Sequence, residues 1–254
     1  MANYDIIGNV AVIKTDGMRK KEVKKQAEDL LKKSNIKTVV EKAENIKGRL
    51  RTFKIKHIAG EKTFIAEYKE SGCIFFMDIS KCYFSPRMGG DRLEIAKKIK
   101  KKDNVLCMFS GIGPYPVVIS KKSNPRKIDS IEIGRECNKY AKMNIEKNKI
   151  KNINVYQGDV RKVVLKLREK YDVIVMARPN LKYSFLKEAL HVAKKGTKIF
   201  YHGFAHEDDK KEMIESLKKE AKACKRSIKI MRIKEIGDIA PYKHRYRIEI
   251  LVSS

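Results

Sequence analysis

One stretch constrains this chain more than any other. The apolar run Val105-Leu106-Cys107-Met108 passes directly into Phe109-Ser110-Gly111-Ile112-Gly113-Pro114. Short apolar residues bounded by glycines read as a strand feeding a tight turn, with a helix to follow. Glycines there let the backbone approach a ligand closely, and a helix N-terminus adds a positive end. The same strand–turn–helix rhythm repeats downstream. Strand candidates are Val105–Phe109, Lys127–Ile133, Ile153–Gln157, Asp172–Met176 and Thr197–Gly203. Helical stretches are expected around 91–100, 114–122, 135–148, 160–169, 183–194 and 206–224; in the last, Met213, Ile214, Leu217, Ala221 and Cys224 make one stripe. Such alternation predicts an α/β domain, a parallel sheet with helices on both faces. Two final strand-like runs, Ser227–Ile233 and Arg245–Val252, read as an antiparallel pair closing the sheet edge.

Upstream the pattern differs, and residues 1–85 read as a small α+β unit preceding the larger domain at 86–254. Tyr4–Ile13 suits a strand or tight hairpin about Gly8-Asn9, and Val23, Ala27, Leu30 and Leu31 mark an amphipathic helix within Met18–Lys33. Thr52–Ile58, Thr63–Tyr68 and Cys73–Ile79 are further strand candidates, separated by Ala59-Gly60 and Ser71-Gly72.

The partner is suggested by charge. Against 59 Lys and Arg stand 31 Asp and Glu, a net charge of +28. A surplus of that size points to a polyanion, because each Lys or Arg placed on a phosphate releases condensed counterions; lysine-rich coding habit is the competing explanation. With 42% hydrophobic residues the chain has material for a core, which excludes global disorder. No apolar run approaches the ~20 residues of a membrane span, and the start lacks a signal peptide's basic and apolar regions, so a cytoplasmic protein without membrane contact is expected. Five scattered cysteines without a CxxC pair argue against a disulfide framework and a zinc cluster. His202 and His206 are spaced i,i+4, but Gly203 lies between them and a third ligand is lacking, so no metal is expected.

Neither a third glycine at dinucleotide spacing nor a GK[ST] follows the Gly111-x-Gly113 turn. The ligand is therefore better read as a nucleoside carrying an amino acid than as a pyrophosphate. Glu132 ends the next strand, about twenty residues on, where a carboxylate accepts bonds from ribose hydroxyls. Asp159, in Gln157-Gly158-Asp159, follows the third strand, within reach of an adenine amino group. Three loops at the carboxyl ends of successive strands thus converge on one crevice. The same two acids also suit plain helix caps.

Cys82-Tyr83-Phe84-Ser85-Pro86-Arg87, Gly90-Asp91-Arg92 and Met108-Phe109-Ser110-Gly111-Ile112-Gly113-Pro114 together resemble the archaeal and eukaryotic tRNA guanine-N1-methyltransferases that act at position 37, beside the anticodon. Gly48–Arg51 with Ile58-Ala59-Gly60-Glu61, Asn144 with Asn148, Gly158-Asp159-x-Arg161 and Ala240-Pro241-Tyr242-Lys243 extend the resemblance over nearly the whole chain. It implies a class I, Rossmann-like fold, S-adenosylmethionine as cofactor, tRNA as partner and a monomer. It also implies a chain that begins where the middle domain of many relatives does. Cofactor-binding positions carried over are Arg92, Phe109, Ser110, Gly111, Gly113, Glu132, Asp159, Val160 and Pro179. For catalysis it places Asp91 as general base for the guanine N1 proton and Arg51 as the guanidinium facing O6.

Three positions depart from the family pattern. Cys107 stands where Asp is usual, Asp91 replaces a Glu, and Met176-Ala177-Arg178-Pro179 replaces a loop carrying Asn-Leu-Pro. Arg178 becomes an additional catalytic candidate at the crevice mouth, with a surface arginine as the alternative. These departures keep two other readings open: a wyosine-pathway transferase acting on the tricyclic base, by aminocarboxypropyl or carbon-methyl transfer, and an RNA-binding relative without activity. Pro114 favours methyl transfer. Elsewhere, Tyr83, Phe84 and His202 are expected to pack, Arg92 to form a structural ion pair as well, and Arg87 to meet a phosphate or bridge the two domains.

Overall fold

The computed structural model describes residues 4–42, 55–177 and 182–254. Tyr4–Ile7 (β1) and Val10–Ile13 (β2) form the antiparallel hairpin expected about Gly8-Asn9. Helix α1 (Lys20–Leu31) then crosses over, so that Thr38–Lys42 (β3) lies parallel to β2, and Ile55–Gly60 (β4) completes a four-stranded sheet. β3 is absent from the sequence expectation. Its Thr38, Val39 and Val40 are all fully buried, so it lacks the polar alternation that announces a strand. Ile65–Glu70 (β5) and Cys73–Asp78 (β6) make a second hairpin, against which the first one turns. Gly8 sits there at φ +57°, and a Cβ on it would fall 1.7 Å from the Glu67 carbonyl oxygen, so only glycine fits the contact.

The large sheet contains Asn104–Met108 (β7), Lys127–Glu132 (β8), Ile153–Gln157 (β9), Tyr171–Met176 (β10), Ala193–His206 (β11), Ile228–Ala240 (β12) and Lys243–Val252 (β13). Their order is β12-β13-β11-β10-β7-β8-β9; β7 to β11 run parallel, and β13 pairs antiparallel with both β11 and β12 at the edge. After β9 the chain returns to the other side of β7. That reversal leaves a crevice at the carboxyl ends of β7 and β10, where open α/β sheets hold ligands. Covering helices are α2 (Gly89–Ala96), α3 (Pro114–Ser123), α4 (Arg135–Lys147), α5 (Val160–Val163), α6 (Leu186–Val192) and α7 (Lys210–Ala223). Two expectations are corrected. The stretch at 160–169 is a single α-turn plus a 3-10 turn, and β11 continues through His206, so the last helix starts four residues later than expected.

Alternate residues of β7 feed two cores, Val105 and Cys107 on one face, Leu106 and Met108 on the other. The first core is shared with β6 through Phe75 and Met77, so the second hairpin is packed onto the large sheet. Two asparagines on α4 complete that junction. Asn144 accepts from Phe76 N at 2.8 Å and donates to Phe76 O at 3.1 Å, while Asn148 repeats the pair on Ile74 at 3.0 and 2.7 Å. At i,i+4 on one helix face, two carboxamides thus stand in for a missing edge strand. Asn144 also donates to Ile112 O at 3.0 Å, which ties β6 to the glycine turn. Asn144→Ala would orphan those backbone groups. It is expected to lower unfolding free energy by about 2–3 kcal/mol, read from denaturant melts.

Candidate active site

The turn after β7 carries unusual backbone geometry. Phe109, Gly111 and Gly113 adopt φ of 61°, 56° and 85°. For phenylalanine this left-handed conformation costs on the order of 1–3 kcal/mol, and such residues cluster at ligand sites. The Phe109 ring is held edge-on to Phe185, centroids 4.9 Å apart. Ser110 closes the turn, its hydroxyl donating to Cys107 O at 2.9 Å and its N–H to Ile131 O at 3.0 Å.

Glu132 joins the turns after β7 and β8. One carboxylate oxygen accepts from Gly111 N at 2.8 Å and the other from Gly134 N at 2.7 Å. Burial pushes its carboxyl above the usual range, opposed by those N–H donors. Asp159 caps α5 by accepting from Arg161 N at 3.0 Å, and its carboxylate also pairs with the Arg161 guanidinium at 2.6 Å. Phe109, Ser110, Gly111, Glu132, Asp159 and Val160 all line one mainly apolar pocket at the crevice. Gly113 lies one step back as the N-cap of α3, where a Cβ would meet Ala141 of α4 at 3.5 Å. Arg51, Arg178 and Pro179 fall outside the described residues.

At the other end of the pocket several expectations change. Arg92 borders the pocket, and part of its guanidinium is engaged away from it. Its Nε and Nη2 donate to Glu70 at 2.5 and 2.6 Å, Nη2 also reaches Ser85 O at 3.1 Å, and the residue is 2% exposed. It braces the pocket wall as the expected ion pair, while its Nη1 has no bond among those named. Asp91 does not line the pocket at all. It is buried behind Tyr115 and His202, and both its oxygens are engaged: Oδ1 by Arg247 at 2.6 Å, Oδ2 by the Tyr115 hydroxyl at 2.6 Å and His202 Nε2 at 3.1 Å. Burial pushes this carboxyl up. The hydrogen bond and the charge of His202, then the Tyr115 hydrogen bond and the Arg247 charge, outweigh that and hold it far below the usual carboxylate range. Three protein side chains therefore compete with any base for this carboxylate.

His202 packs as expected, buried and edge-on to Tyr115, and it also borders the pocket beside Tyr115 and Arg245. Arg245 was not singled out by sequence. It lies on β13 two residues before Arg247, its face signalled only by the alternation Arg245-x-Arg247-x-Glu249. Cys107 is buried in the first core with its thiol pushed far up by desolvation, so it supplies no anion where a carboxylate is usual. Cys82 and Cys137 form a disulfide across 55 residues, contrary to the expectation from cysteine spacing. Tyr83 and Phe84 both border the pocket, and Phe84 is also a core aromatic packed on Tyr68. Arg87 bridges to the first hairpin through Asp5 at 2.5 Å.

Residues 66–230 match the model of the TRM5/TYW2 methyltransferase domain, and residues 1–63 match that of the TYW2 N-terminal domain. The tRNA (guanine(37)-N(1))-methyltransferase Trm5b of Pyrococcus abyssi is 30% identical over 255 residues, covering 99% of this chain and 75% of that protein. The tRNA (guanine(37)-N(1))/4-demethylwyosine(37)-methyltransferase Taw22 of Nanoarchaeum equitans is 29% identical over 300 residues, covering 98% and 99%. Among solved structures, the complex of aTrm5 with tRNALeu superposes with a TM-score of 0.87 at 27% identity, covering all of this chain and 72% of that one.

Proposed function

The chain belongs to the TRM5/TYW2 methyltransferase family, and we propose that it is an S-adenosylmethionine-dependent tRNA methyltransferase acting on N1 of guanine 37. The observation that carries this reading is a single pocket with two chemically different ends. One end offers Gly111, Glu132 and Asp159 among apolar side chains; the other offers His202 and Arg245. The first end fits a nucleoside bearing a sulfonium amino acid. Apolar walls from Phe109, Ile133 and Val160 suit the adenine, and the Glu132 carboxylate between the turns after β7 and β8 suits the ribose hydroxyls. When bound, that cofactor supplies the methyl group. The chain's own work is to hold the target base against it, exclude water and accept the N1 proton.

The partner agrees with charge and relatives alike. A net charge of +28 suits a polyanion, and the tRNA complex named above belongs to a chain of this fold. Among the described residues no helix is long and apolar enough to cross a membrane. Affinity for tRNA is expected to fall steeply as salt rises, with log K linear in log salt; a flat plot would remove the nonspecific phosphate contacts from the account.

The reading is tested by incubating the protein with a guanosine-37 tRNA transcript and S-adenosylmethionine, then digesting and weighing the nucleosides. One methyl on guanosine, at N1, is the expected product. A second reading rests on the match of residues 1–63 to the TYW2 N-terminal domain and on the 4-demethylwyosine activity in the Taw22 name. On that reading the tricyclic base takes the new group and guanosine-37 tRNA stays unmodified. Glu132→Ala addresses the cofactor end under either reading: it is expected to weaken S-adenosylmethionine by about 1.5–3 kcal/mol in calorimetry, the worth of hydrogen bonds to a charged acceptor.

A further inference from the structure

Two side chains at the far end of the pocket are unexplained by cofactor binding. Arg245 is 9% exposed, its Nε has no hydrogen-bond partner among the described residues, and its guanidinium lies over the Phe204 ring at 5.2 Å. Among those residues no carboxylate pairs with it. A guanidinium buried without an anion is costly unless a ligand supplies one. His202 is 2% exposed and is likewise aligned by its surroundings. Asp91 of α2 accepts from its Nε2 at 3.1 Å, Tyr115 of α3 lies 3.4 Å from the same nitrogen, and Arg247 faces it in register on β13. Asp91 is ionised, so the proton of a neutral imidazole resides on Nε2 and the lone pair on Nδ1.

We propose that this end receives the Watson–Crick edge of the target guanine, with His202 Nδ1 accepting the N1 proton and Arg245 donating to O6. Asp91 is then a positioning residue, which fixes the tautomer of His202 and stabilises the imidazolium that forms. The N1–H bond breaks, its electron pair stays on the base, and the charge spreads through C6 onto O6, where the guanidinium meets it. The methyl group bonds to N1 as its bond to sulfur breaks, the sulfur keeping that pair. The imidazolium afterwards returns its proton to water. This assignment rests on guanine being the substrate, and it moves the base from Asp91 to a residue in the pocket wall.

The test is single-turnover methyl transfer to guanosine-37 tRNA by the full chain, with binding of S-adenosylmethionine and of tRNA measured separately. His202→Gln is expected to slow transfer by about 10²–10⁴-fold and to abolish the acid limb of the rate–pH profile, with both affinities unchanged. Arg245→Met is expected to slow it by about 10²–10³-fold, again with both affinities unchanged. Wild-type rate and pH profile in His202→Gln would overturn the base assignment. So would a slower rate accompanied by weaker cofactor binding or a lower melting temperature, which marks a structural role. Weaker cofactor binding in Arg245→Met would place that guanidinium on the amino acid of the cofactor and overturn its role at O6. If the wild type leaves guanosine 37 unmethylated, the functional reading fails and takes this proposal with it; if the wild type methylates it and the variants do too, only the proposal fails.

Discussion

Asp91→Asn is expected to slow methyl transfer by about 10²–10⁴-fold while S-adenosylmethionine and tRNA bind as before. The carboxamide keeps the shape of the side chain but removes the charge that His202, Tyr115 and Arg247 converge on. A neutral partner stabilises the imidazolium less and no longer dictates which ring nitrogen carries the proton. Cofactor binding is spared because Asp91 is absent from the pocket surface. Asp91→Glu, which restores the residue usual in the family, separates the two possible roles. Tyr115 and Arg247 already approach the Asp91 carboxylate to 2.6 Å on either side, so an added methylene displaces the oxygens from all three partners. Transfer is then expected to slow by about 10²-fold, the effect of an ångström-scale misplacement. Faster transfer by Asp91→Glu would instead favour direct contact between this carboxylate and the base.

The parts of the site that sequence revealed lie close to strand ends. Glu132 ends β8, Gly111 follows β7 by three residues and Asp159 follows β9 by two, and the parallel sheet brings these strand ends together. Periodicity locates such residues because it locates the strands. His202, Arg245 and Arg247 were not legible in this way. Along β13, Tyr246, Ile248 and Ile250 enter the second core, while Arg245, Arg247 and Glu249 take the opposite face. That pattern is the one a solvated face presents. What makes it an interior is α2, which lays Asp91 and Glu94 over the strand from 156 and 153 residues away in sequence. Likewise the Cys82–Cys137 link and the Asn144–Phe76 bonds join segments 55 and 68 residues apart, so the sequence gives no local signal of either.

Arg247→Met is expected to cost about 3–5 kcal/mol of stability at neutral pH, measured in denaturant, because it leaves the buried Asp91 carboxylate without its guanidinium. Arg247 has no exposed side-chain surface and donates to Asp91, Glu94 and Glu249. Lys234 and Lys98 still reach Glu94 and Glu249 at 2.5 Å, but neither is paired with Asp91. The loss has a defined pH dependence. In the folded protein the Arg247 hydrogen bond, the largest cause, holds Glu94 down at about 2, and Asp91 is held lower than its ordinary value as well. Groups depressed by folding stabilise the protein above their unfolded values, about pH 4, and lose that contribution as pH falls through their folded values. Wild-type stability is therefore expected to decline from about pH 5 toward pH 2. Without Arg247 both carboxyls titrate closer to their unfolded values, so the variant has less to lose on acidification. The gap between the two proteins should accordingly narrow as pH is lowered, and a gap of constant size would mean that Arg247 stabilises the fold by packing rather than by charge.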